Sequence, residues 1–301
     1  NTIEQSKSSG KPTYGLQLTC DYGNSNLIIN GSGNTIVDRD SEDALYVWEA
    51  GTGASNGKVN LSTITFNTAD GKLYLAEGDL ATALTQTTEI NLLAGTEYII
   101  PAKITAITGS KVTITGINKD AVISFNSTPG GADGGLNSYA DNTDLVFKNI
   151  TVNSPKTTSS YTGGFGRAKS ITFENCAYNG QYRSMGPTTF TDCVIDPKTS
   201  YIYTDYVNVD FVGCTFNCSE GKGIQVYNDG STTNTIVNVE NCTFTAAKQA
   251  QTWDGKPVTA IDINSNGEIF TVNINNTTAT GFATGLYSGN NLWNIKGGAD
   301  Y

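Results

Sequence analysis

Nine side chains carry most of the chemistry that this sequence offers to a ligand. By their positions in the repeat described below, they fall on one outward-facing strand of a stacked structure or in the loop beside it. The faces of tyrosine and tryptophan stack on sugar rings, and two arginines can hold a carboxylate through paired hydrogen bonds. We therefore predict a carbohydrate-binding groove, with candidate ligand-binding residues Tyr139, Arg167, Arg183, Tyr203, Asp205, Tyr227, Trp253, Asp262 and Tyr287.

The residues of the same row are also compatible with two kinds of glycosidic bond cleavage. Hydrolysis of a glycosidic bond needs two carboxyl groups roughly 5 to 9 Å apart. Asp205 and Asp262 fall two coils apart in the repeat, near the upper end of that range at about 4.8 Å per coil. A lyase needs a base and a cation beside the substrate carboxylate, roles that a tyrosine and an arginine of the row can take. In a third interpretation, tyrosines stacked across coils only stabilise an exposed sheet.

A repeated strand–turn–strand phrase must position this row. Each phrase has a residue at its corner that tolerates the left-handed backbone conformation with little strain. The phrases are LVFKNITV (145–152), ITFENCAY (171–178), TTFTDCVI (188–195), VDFVGCTF (209–216), VNVENCTF (237–244) and VNINNTTA (272–279). The predicted corners are Asn149, Asn175, Asp192, Gly213, Asn241 and Asn276.

The spacing of the corners indicates three strands per coil. It varies from 17 residues between Asn175 and Asp192 to 35 residues between Asn241 and Asn276, as expected for coils with unequal loops. A third strand is predicted between successive phrases, where apolar and polar residues alternate. These segments are 135–139, 164–168, 181–185, 201–205, 223–227, 260–264 and 285–289.

The pattern predicts an all-β protein, a right-handed parallel β-helix with three sheets. We assign residues 76–301 to the β-helix and residues 1–75 to a strand-rich segment, which forms extra coils, a small β unit or a lid. Within 78–88, Asp79 is a candidate N-cap, and Leu80 and Leu84 lie one helical turn apart. We expect a short helix there, capping the open end of the stack.

The cysteines indicate packing rather than metal or redox chemistry. Cys176, Cys193, Cys214 and Cys242 each follow a corner, and the chain has neither a CxxC motif nor a histidine. We therefore predict buried thiols. The acidic run 38–43 is the kind of sequence that binds calcium, but its spacing fits no calcium loop, so we expect a solvated turn and no cofactor.

The net charge of -10 argues against nucleic acid as a partner, because nucleic acid selects basic surfaces. No apolar run approaches the roughly 18 residues that span a bilayer, so we predict no membrane insertion. No signal peptide is visible ahead of Asn1, and we expect a trimmed mature product or an artificially cut chain.

Three segments together carry a family resemblance. The phrase ITFENCAY, the segment INLLAGTEYII (90–100) behind the expected helix, and ITGINKDAVI (114–123) resemble bacterial secreted or surface proteins of the pectate-lyase-like superfamily. The resemblance covers about 76–301 and implies a right-handed parallel β-helix at an extracellular or bacterial cell-surface location. The superfamily includes polysaccharide lyases, glycoside hydrolases, pectin esterases, phage tailspikes and non-catalytic adhesins.

The enzyme signatures implied by this resemblance are incomplete in the sequence. Polygalacturonase-type hydrolases combine an NTD motif with an Asp-Asp pair and an HG motif; here Asn142, Thr143 and Asp144 stand without an Asp-Asp pair or any histidine. The WIDH and RxPxxR phrases of pectate lyases are absent as well. We expect an adhesin-like protein that binds a polysaccharide or a host glycoprotein without catalysis. The alternatives are a polysaccharide lyase or glycoside hydrolase, and a purely structural stalk; the sequence does not predict an oligomeric state.

Overall fold

The structure is a computed structural model that describes most of the chain from residue 88 onward. The described residues there are 88–92, 94–100, 103–104, 109–125, 135–136, 143–154, 164–165, 168–184, 186–204, 207–227, 234–252, 255–265 and 270–297. Upstream it describes the backbone of seven short strands and three residues of a helix. Among the described residues, no helix is long and apolar enough to cross a membrane.

The described part of the chain is a right-handed parallel β-helix with three faces, as the sequence predicts. Face A contains β7 (Tyr74–Leu75), β8 (Glu89–Leu92), β11 (Lys111–Gly116), β14 (Asp144–Lys148), β17 (Ser170–Glu174), β20 (Thr188–Thr191), β23 (Val209–Val212), β26 (Thr235–Glu240) and β29 (Phe270–Asn275). Face B contains β9 (Glu97–Ile100), β12 (Val122–Phe125), β15 (Thr151–Ser154), β18 (Ala177–Gly180), β21 (Val194–Asp196), β24 (Thr215–Cys218), β27 (Thr243–Ala246) and β30 (Thr278–Thr280). Neighbouring strands pair in parallel and in register, for example β14 with β17 and β15 with β18.

Face C is built from two four-stranded sheets. The first contains β10 (Lys103–Ile104), β13 (Gly135–Leu136), β16 (Gly164–Phe165) and β19 (Arg183–Ser184). The second contains β22 (Ile202–Tyr203), β25 (Ile224–Val226), β28 (Ile261–Ser265) and β31 (Trp293–Gly297). A parallel bridge between Tyr182 and Ile202 joins the two sheets.

One predicted third strand is wrong. Residues 286–288 form a turn rather than a strand, and the last strand of face C is β31, farther along the chain. The turn is closed by a hydrogen bond from the Gly289 N–H to the Gly285 carbonyl, and Gly289 has a φ of 69°. Glycine adopts this backbone conformation without the strain that a side chain adds. The alternation of apolar and polar residues at 285–289 predicts a strand, but the glycines at its two ends form a turn instead.

The predicted corners are confirmed by their backbone conformation. All six have positive φ: 53° at Asn149, 50° at Asn175, 53° at Asp192, 65° at Gly213, 54° at Asn241 and 44° at Asn276. Corner asparagines also bond between coils, since Nδ2 donates to the Oδ1 of the preceding corner at 2.8 Å for Asn175 and at 2.6 Å for Asn276. The turn is therefore stabilised by side chains as well as by residue type.

The interior contains stacked aromatic rings beneath faces A and B. On face A, ring centroids are 4.9 Å apart from Phe147 to Phe173, 4.7 Å from Phe173 to Phe190 and 5.2 Å from Phe190 to Phe211. These rings are fully buried or nearly so. Stacking of this kind adds to the free energy of burying apolar area.

The prediction of buried cysteines is confirmed for the four that follow a corner. Cys176, Cys193, Cys214 and Cys242 are free thiols with at most 1% of their surface exposed. Each Sγ donates a hydrogen bond to a phenylalanine carbonyl in the preceding coil; the distance is 3.4 Å from Cys176 to Phe147. Cysteine recurs at this position because its thiol is small enough to be buried and donates a hydrogen bond to the buried carbonyl.

The strands of residues 1–75 pair by the rule of a three-strand coil. Apart from β7, which belongs to face A, the strands are β1 (Thr2–Glu4), β2 (Leu16–Cys20), β3 (Asn26–Leu27), β4 (Thr35–Val37), β5 (Leu45–Glu49) and β6 (Lys58–Val59). Each of the first three pairs in parallel with the strand three places later. The division of the chain at residue 76 stays a prediction.

The described helical residues are Leu80, Ala83 and Leu84. All three are buried and belong to the same apolar core as the inward side chains of the coils. Asp79, the predicted N-cap, lies outside the described residues. Helical, buried leucines one turn apart agree with a short helix at this place, and its role as a cap of the stack stays a prediction.

Candidate functional site

The predicted outward row exists on face C. Gln225 is in register with Tyr203 on one side and with Asp262 on the other, and Asp262 is in register with Asn294. The bridge between Tyr182 and Ile202 places Arg183 beside Tyr203. Four of the nine predicted residues lie outside the described residues, namely Tyr139, Arg167, Asp205 and Trp253.

Asp262 does not lie open to a ligand, contrary to the prediction. Its register is outward, but 0% of its surface is exposed. Thr259, just before β28, donates to Asp262 Oδ1 from its hydroxyl at 2.9 Å and from its backbone N–H at 3.4 Å. Burial, followed by the nearby charge of Asp262, raises the pKa of Tyr201. A carboxylate covered in this way is not available to protonate a substrate.

Arg183, Tyr203 and Tyr227 are half-buried. The Tyr203 ring packs edge-on against Tyr201, with centroids 5.8 Å apart. Lys222 Nζ lies 5.1 Å from the centre of the Tyr201 ring. The tyrosine contact is made within one coil and not across coils. Tyr203 therefore contributes to packing on this surface, with only part of its ring facing solvent.

Tyr287 is 58% exposed, but it lies outside the row. It belongs to the turn at 286–288, where its backbone N–H and that of Ser288 donate to Asn294 Oδ1 at 3.0 and 3.2 Å. Asn294 takes the place in the face C row that the sequence assigned to Tyr287. In the described part of the row, an asparagine therefore stands where the sequence predicts a tyrosine.

A groove of about 520 Å³ lies on face B instead. It crosses the outward side of β9, β12, β15 and β18 and is bounded by the turn after β21. Seven of its ten lining residues have polar or charged side chains; the lining residues are Glu97, Ser124, Phe125, Asn153, Ser154, Asn179, Gly180, Pro197, Lys198 and Thr199. We refer to this feature as the face B groove.

A ladder of hydrogen bonds runs across the floor of the face B groove. Asn179 Nδ2 donates to Asn153 Oδ1 at 3.1 Å, and Asn153 Nδ2 donates to Ser124 Oγ at 3.4 Å. The Ser124 hydroxyl in turn donates to Glu97 Oε1. The parallel register of Ser124, Asn153 and Asn179 creates this ladder. Because each side chain is held by the next, the polar atoms are already ordered before a ligand arrives.

Asp196 fixes the wall of the groove. Its Oδ1 accepts hydrogen bonds at 3.1 Å from the Lys198 N–H, the Ser219 N–H and the Ser219 hydroxyl, while Lys198 Nζ bonds to Oδ2 at 2.6 Å. Burial raises the pKa of Asp196, but these hydrogen bonds lower it more, so the pKa lies below its ordinary value of 3.8. The turn at Lys198, where φ is 58°, is thereby tied to the next coil.

Gly180 is the last residue of β18 and lines the groove. Its φ of 105° lies in a region that residues with side chains rarely adopt.

The chemistry of the groove is hydrogen bonding. Asparagine amides donate and accept, and serine and threonine hydroxyls do both, so the lining suits a ligand rich in hydroxyl groups. Among the described lining residues, Glu97 is the one carboxylate, and the Lys198 ammonium is already paired with Asp196. No cluster of three or more metal-ligating side chains occurs among the described residues.

Sequence reasoning missed the face B groove, although a signal was present. Asn153, Asn179 and Asp196 each stand four residues after a corner, at Asn149, Asn175 and Asp192. Their recurrence in the second strand of the phrase marks an outward polar row as clearly as the corners mark the turn. The projecting turn that converts this row into a groove has no comparable repeat.

Comparison with protein-family models, with curated proteins and with solved structures gives no match for this chain. The parallel β-helix is established by the strand pairing described above. Membership of the pectate-lyase-like superfamily stays a prediction from the sequence, and the function must be argued from the geometry of the surface.

Proposed function

We propose that this chain is a secreted or cell-surface β-helix protein that binds a glycan in the face B groove without cleaving it. The ligand is a polysaccharide or the glycan of a host glycoprotein. The observation that supports this most strongly is the ladder from Asn179 through Asn153 and Ser124 to Glu97. It presents a line of fixed donors and acceptors along an open, elongated surface.

The size and rigidity of the groove suit a short stretch of a sugar chain. Its volume of about 520 Å³ falls within the range of ligand sites, roughly 300 to 1,000 Å³. Seven of the ten lining residues lie in strands, and the turn at 197–199 that supplies the other three is anchored by Asp196. Binding therefore costs little ordering of the protein, which favours affinity for a polar ligand that offers few apolar contacts.

The charges favour a neutral glycan. The Glu97 carboxylate lies at one end of the ladder, and the Lys198 ammonium is neutralised by Asp196. The whole chain carries a net charge of -10. A polyanionic polysaccharide would therefore meet repulsion both at the groove and over longer distances.

Catalysis is disfavoured by the placement of the carboxylates. Hydrolysis by the common mechanisms uses two carboxyl groups that face the same bond. Among the described lining residues, Glu97 stands without a second carboxylate, because Asp196 is engaged by Lys198 and Ser219 in the wall. We therefore place the lyase or hydrolase alternative behind non-catalytic binding.

A polysaccharide panel with two readouts separates binder, enzyme and stalk. Neutral and acidic polysaccharides are incubated with the protein, and both the bound fraction and newly released reducing or unsaturated ends are measured. We expect a neutral glycan to be retained with no product. Release of ends above the level of a heat-denatured sample would establish an enzyme, and a lack of binding to every polysaccharide would favour the stalk.

Glu97→Gln, which removes the groove's carboxylate charge, locates the binding. The matched control is Glu240→Gln, another exposed carboxylate, on face A. We expect Glu97→Gln to change the affinity several-fold and Glu240→Gln to leave it unchanged. Equal effects of the two substitutions would move the binding site away from the face B groove.

A further inference from the structure

The face B groove is lined by inward residues where its strands end. Phe125, Ser154 and Gly180 are the last residues of β12, β15 and β18, and all three line the groove. Burial alternates along each of these strands and ends on a buried residue, so all three stand at inward positions. We call this part of the groove, at Phe125, Ser154 and Gly180, the inner end.

Three buried polar atoms beside the inner end have no hydrogen-bond partner within the described structure. They are Ser154 Oγ, Gln181 Oε1 and Ser200 Oγ, and each residue is at most 1% exposed. Ser154 lines the groove, Gln181 directly follows Gly180, and Ser200 directly follows Thr199 of the groove wall. Because buried polar atoms in proteins are nearly always hydrogen-bonded, their concentration here indicates a place that a ligand completes.

The residues that carry these atoms lie in successive coils, at the corner between faces B and C. The Gln181 N–H donates to the Ser154 carbonyl at 2.9 Å, and the Tyr182 N–H donates to the Tyr201 carbonyl at 3.4 Å. The Tyr178 hydroxyl lies near Ser154, but its proton is donated to the Gln181 carbonyl at 3.0 Å. Tyr178 therefore has no proton left to donate to Ser154 Oγ.

The chemistry of the inner end suits a hydroxyl group on a short apolar arm. Serine hydroxyls donate and accept, whereas a glutamine Oε1 only accepts, so the matching ligand group must donate as well as accept. A hydroxyl group does both, and a carboxylate supplies no proton. Phe125 and Pro197 add apolar contacts to the lining, and Gly180, in register with Ser154, has no side chain to fill the space beside it.

We propose that the inner end binds the exocyclic hydroxymethyl group of a neutral hexose and that Ser154 selects hexose glycans over pentose glycans. This inference rests on the proposed glycan binding and adds the class of sugar to it. In the complex, the Ser154 hydroxyl gains a partner that it lacks in the free protein. A pentose such as xylose has no hydroxymethyl group and leaves this buried hydroxyl unpaired, which disfavours its binding.

Calorimetric titration of the 301-residue chain with oligosaccharides of glucose, mannose, galactose and xylose tests the proposal. The β-1,4-linked glucose and xylose oligosaccharides are a matched pair, because they differ only in the hydroxymethyl group. We expect the wild type to bind a hexose oligosaccharide about tenfold more tightly than the xylose one, and Ser154→Ala to abolish this preference.

The matched control is Thr204→Val, which removes another buried hydroxyl. Thr204 Oγ1 is likewise buried and has no hydrogen-bond partner, but Thr204 does not line the groove. Each substitution removes an unpaired buried hydroxyl, so we expect both variants to melt at or above the wild-type temperature. Thr204→Val should keep the preference of the wild type for hexose.

The outcomes separate this inference from glycan binding itself. Loss of the hexose preference in Ser154→Ala alone, without a lower melting temperature, supports the proposal. A preference that survives Ser154→Ala, or a wild type that binds xylose and hexose oligosaccharides equally, overturns the proposal and leaves glycan binding in place. A lower melting temperature of Ser154→Ala would mean that its hydroxyl is already paired in the free protein, and it also overturns the proposal. A wild type that binds none of the oligosaccharides overturns this inference together with the proposed function.

Discussion

Face B contains two sections that share one backbone geometry and differ in surface. The groove section comprises β9, β12, β15, β18 and β21, whose ladder lies under a projecting turn. The flat section comprises β24, β27 and β30, and it presents outward side chains without a wall. The outward residues of the flat section are all exposed: Thr215, Asn217, Thr243, Thr245, Thr278 and Thr280.

The difference between the sections comes from the side chain four residues after each corner and from the turn beyond it. In the groove section this position holds Asn153, Asn179 and Asp196, and Asp196 turns back to anchor the wall. In the flat section it holds Asn217, Thr245 and Thr280. The repeat thus supplies a uniform platform, and a single anchored turn converts part of it into a site.

The largest expected loss of stability comes from removing an aromatic ring beneath each section. Tyr178 packs edge-on against Phe173 under the groove, and Phe244 stacks on Phe216 at 4.1 Å under the flat section. We expect Tyr178→Ala and Phe244→Ala each to lower the free energy of unfolding by about 3–5 kcal/mol, measured by urea denaturation.

Only the ring beneath the groove should affect binding. Tyr178 immediately precedes Asn179 in β18, so its loss disturbs the ladder, whereas Phe244 lies in a strand of the flat section. Calorimetric titration under conditions where both variants stay folded should show weaker glycan binding for Tyr178→Ala alone. Equal losses of affinity would mean that the two sections do not act separately.

A smaller loss of stability is expected from a substitution at the groove wall. Asp196→Asn removes the charge that pairs with Lys198, and we expect it to cost about 1–3 kcal/mol of stability at neutral pH. At the equivalent position of the flat section, Asn217→Ala should cost less than about 0.5 kcal/mol, because Asn217 is exposed. Urea denaturation of the two variants beside the wild type measures both costs.

The stabilisation that the Asp196 carboxylate provides depends on pH, and its direction follows from the lowered pKa of Asp196. Its folded-state pKa lies below 3.8, so the unfolded chain takes up the proton first as the pH falls. The stabilisation is therefore complete above the unfolded pKa of about 3.9 and is lost as the pH falls through the folded pKa. The stability difference between wild type and Asp196→Asn should stay constant from neutral pH to about pH 5 and shrink below pH 4. A constant difference at all pH values would contradict the charged anchor.

Corners should behave alike in the two sections. Asn175 in the groove section and Asn241 in the flat section have φ values of 50° and 54°. Alanine in this conformation is strained by roughly 1–2 kcal/mol, so we expect Asn175→Ala and Asn241→Ala to lower the free energy of unfolding equally. The glycine variants at both positions, which relieve the strain, should cost less in the same urea titrations. A large difference between the two alanine variants would show that the corners are not equivalent supports.

The fold could be predicted from the sequence because its determinants are local and repeated. The corner can be recognised from residue type alone, as at Asn149, Asn175 and Gly213. The next position must hold a small, buried residue, as Cys193 does. Each coil needs the same corner and the same small buried residue, so each repeated phrase strengthens the prediction of the others. Among the described residues of the seven predicted third strands, the prediction fails at 285–289, where glycines close a turn.

The site could not be predicted as well, because it depends on contacts between distant residues. The register of Asp262 with Gln225 follows from alternation, but alternation does not predict that Asp262 is fully buried. The wall of the face B groove likewise depends on Asp196 reaching Ser219 in the following coil. Local patterns specify which way a side chain points and say nothing about the segment that later covers it.

A calorimetric comparison of the two sections of face B tests the central claim most directly. The groove variant is Asn153→Ala/Asn179→Ala, and the control is Asn217→Ala/Thr245→Ala, which changes the same repeat positions in the flat section. With the neutral glycan that the wild type retains, we predict an affinity about tenfold lower for the groove variant and unchanged for the control. Wild-type affinity in the groove variant, or an equal loss in both, would contradict glycan binding in the face B groove.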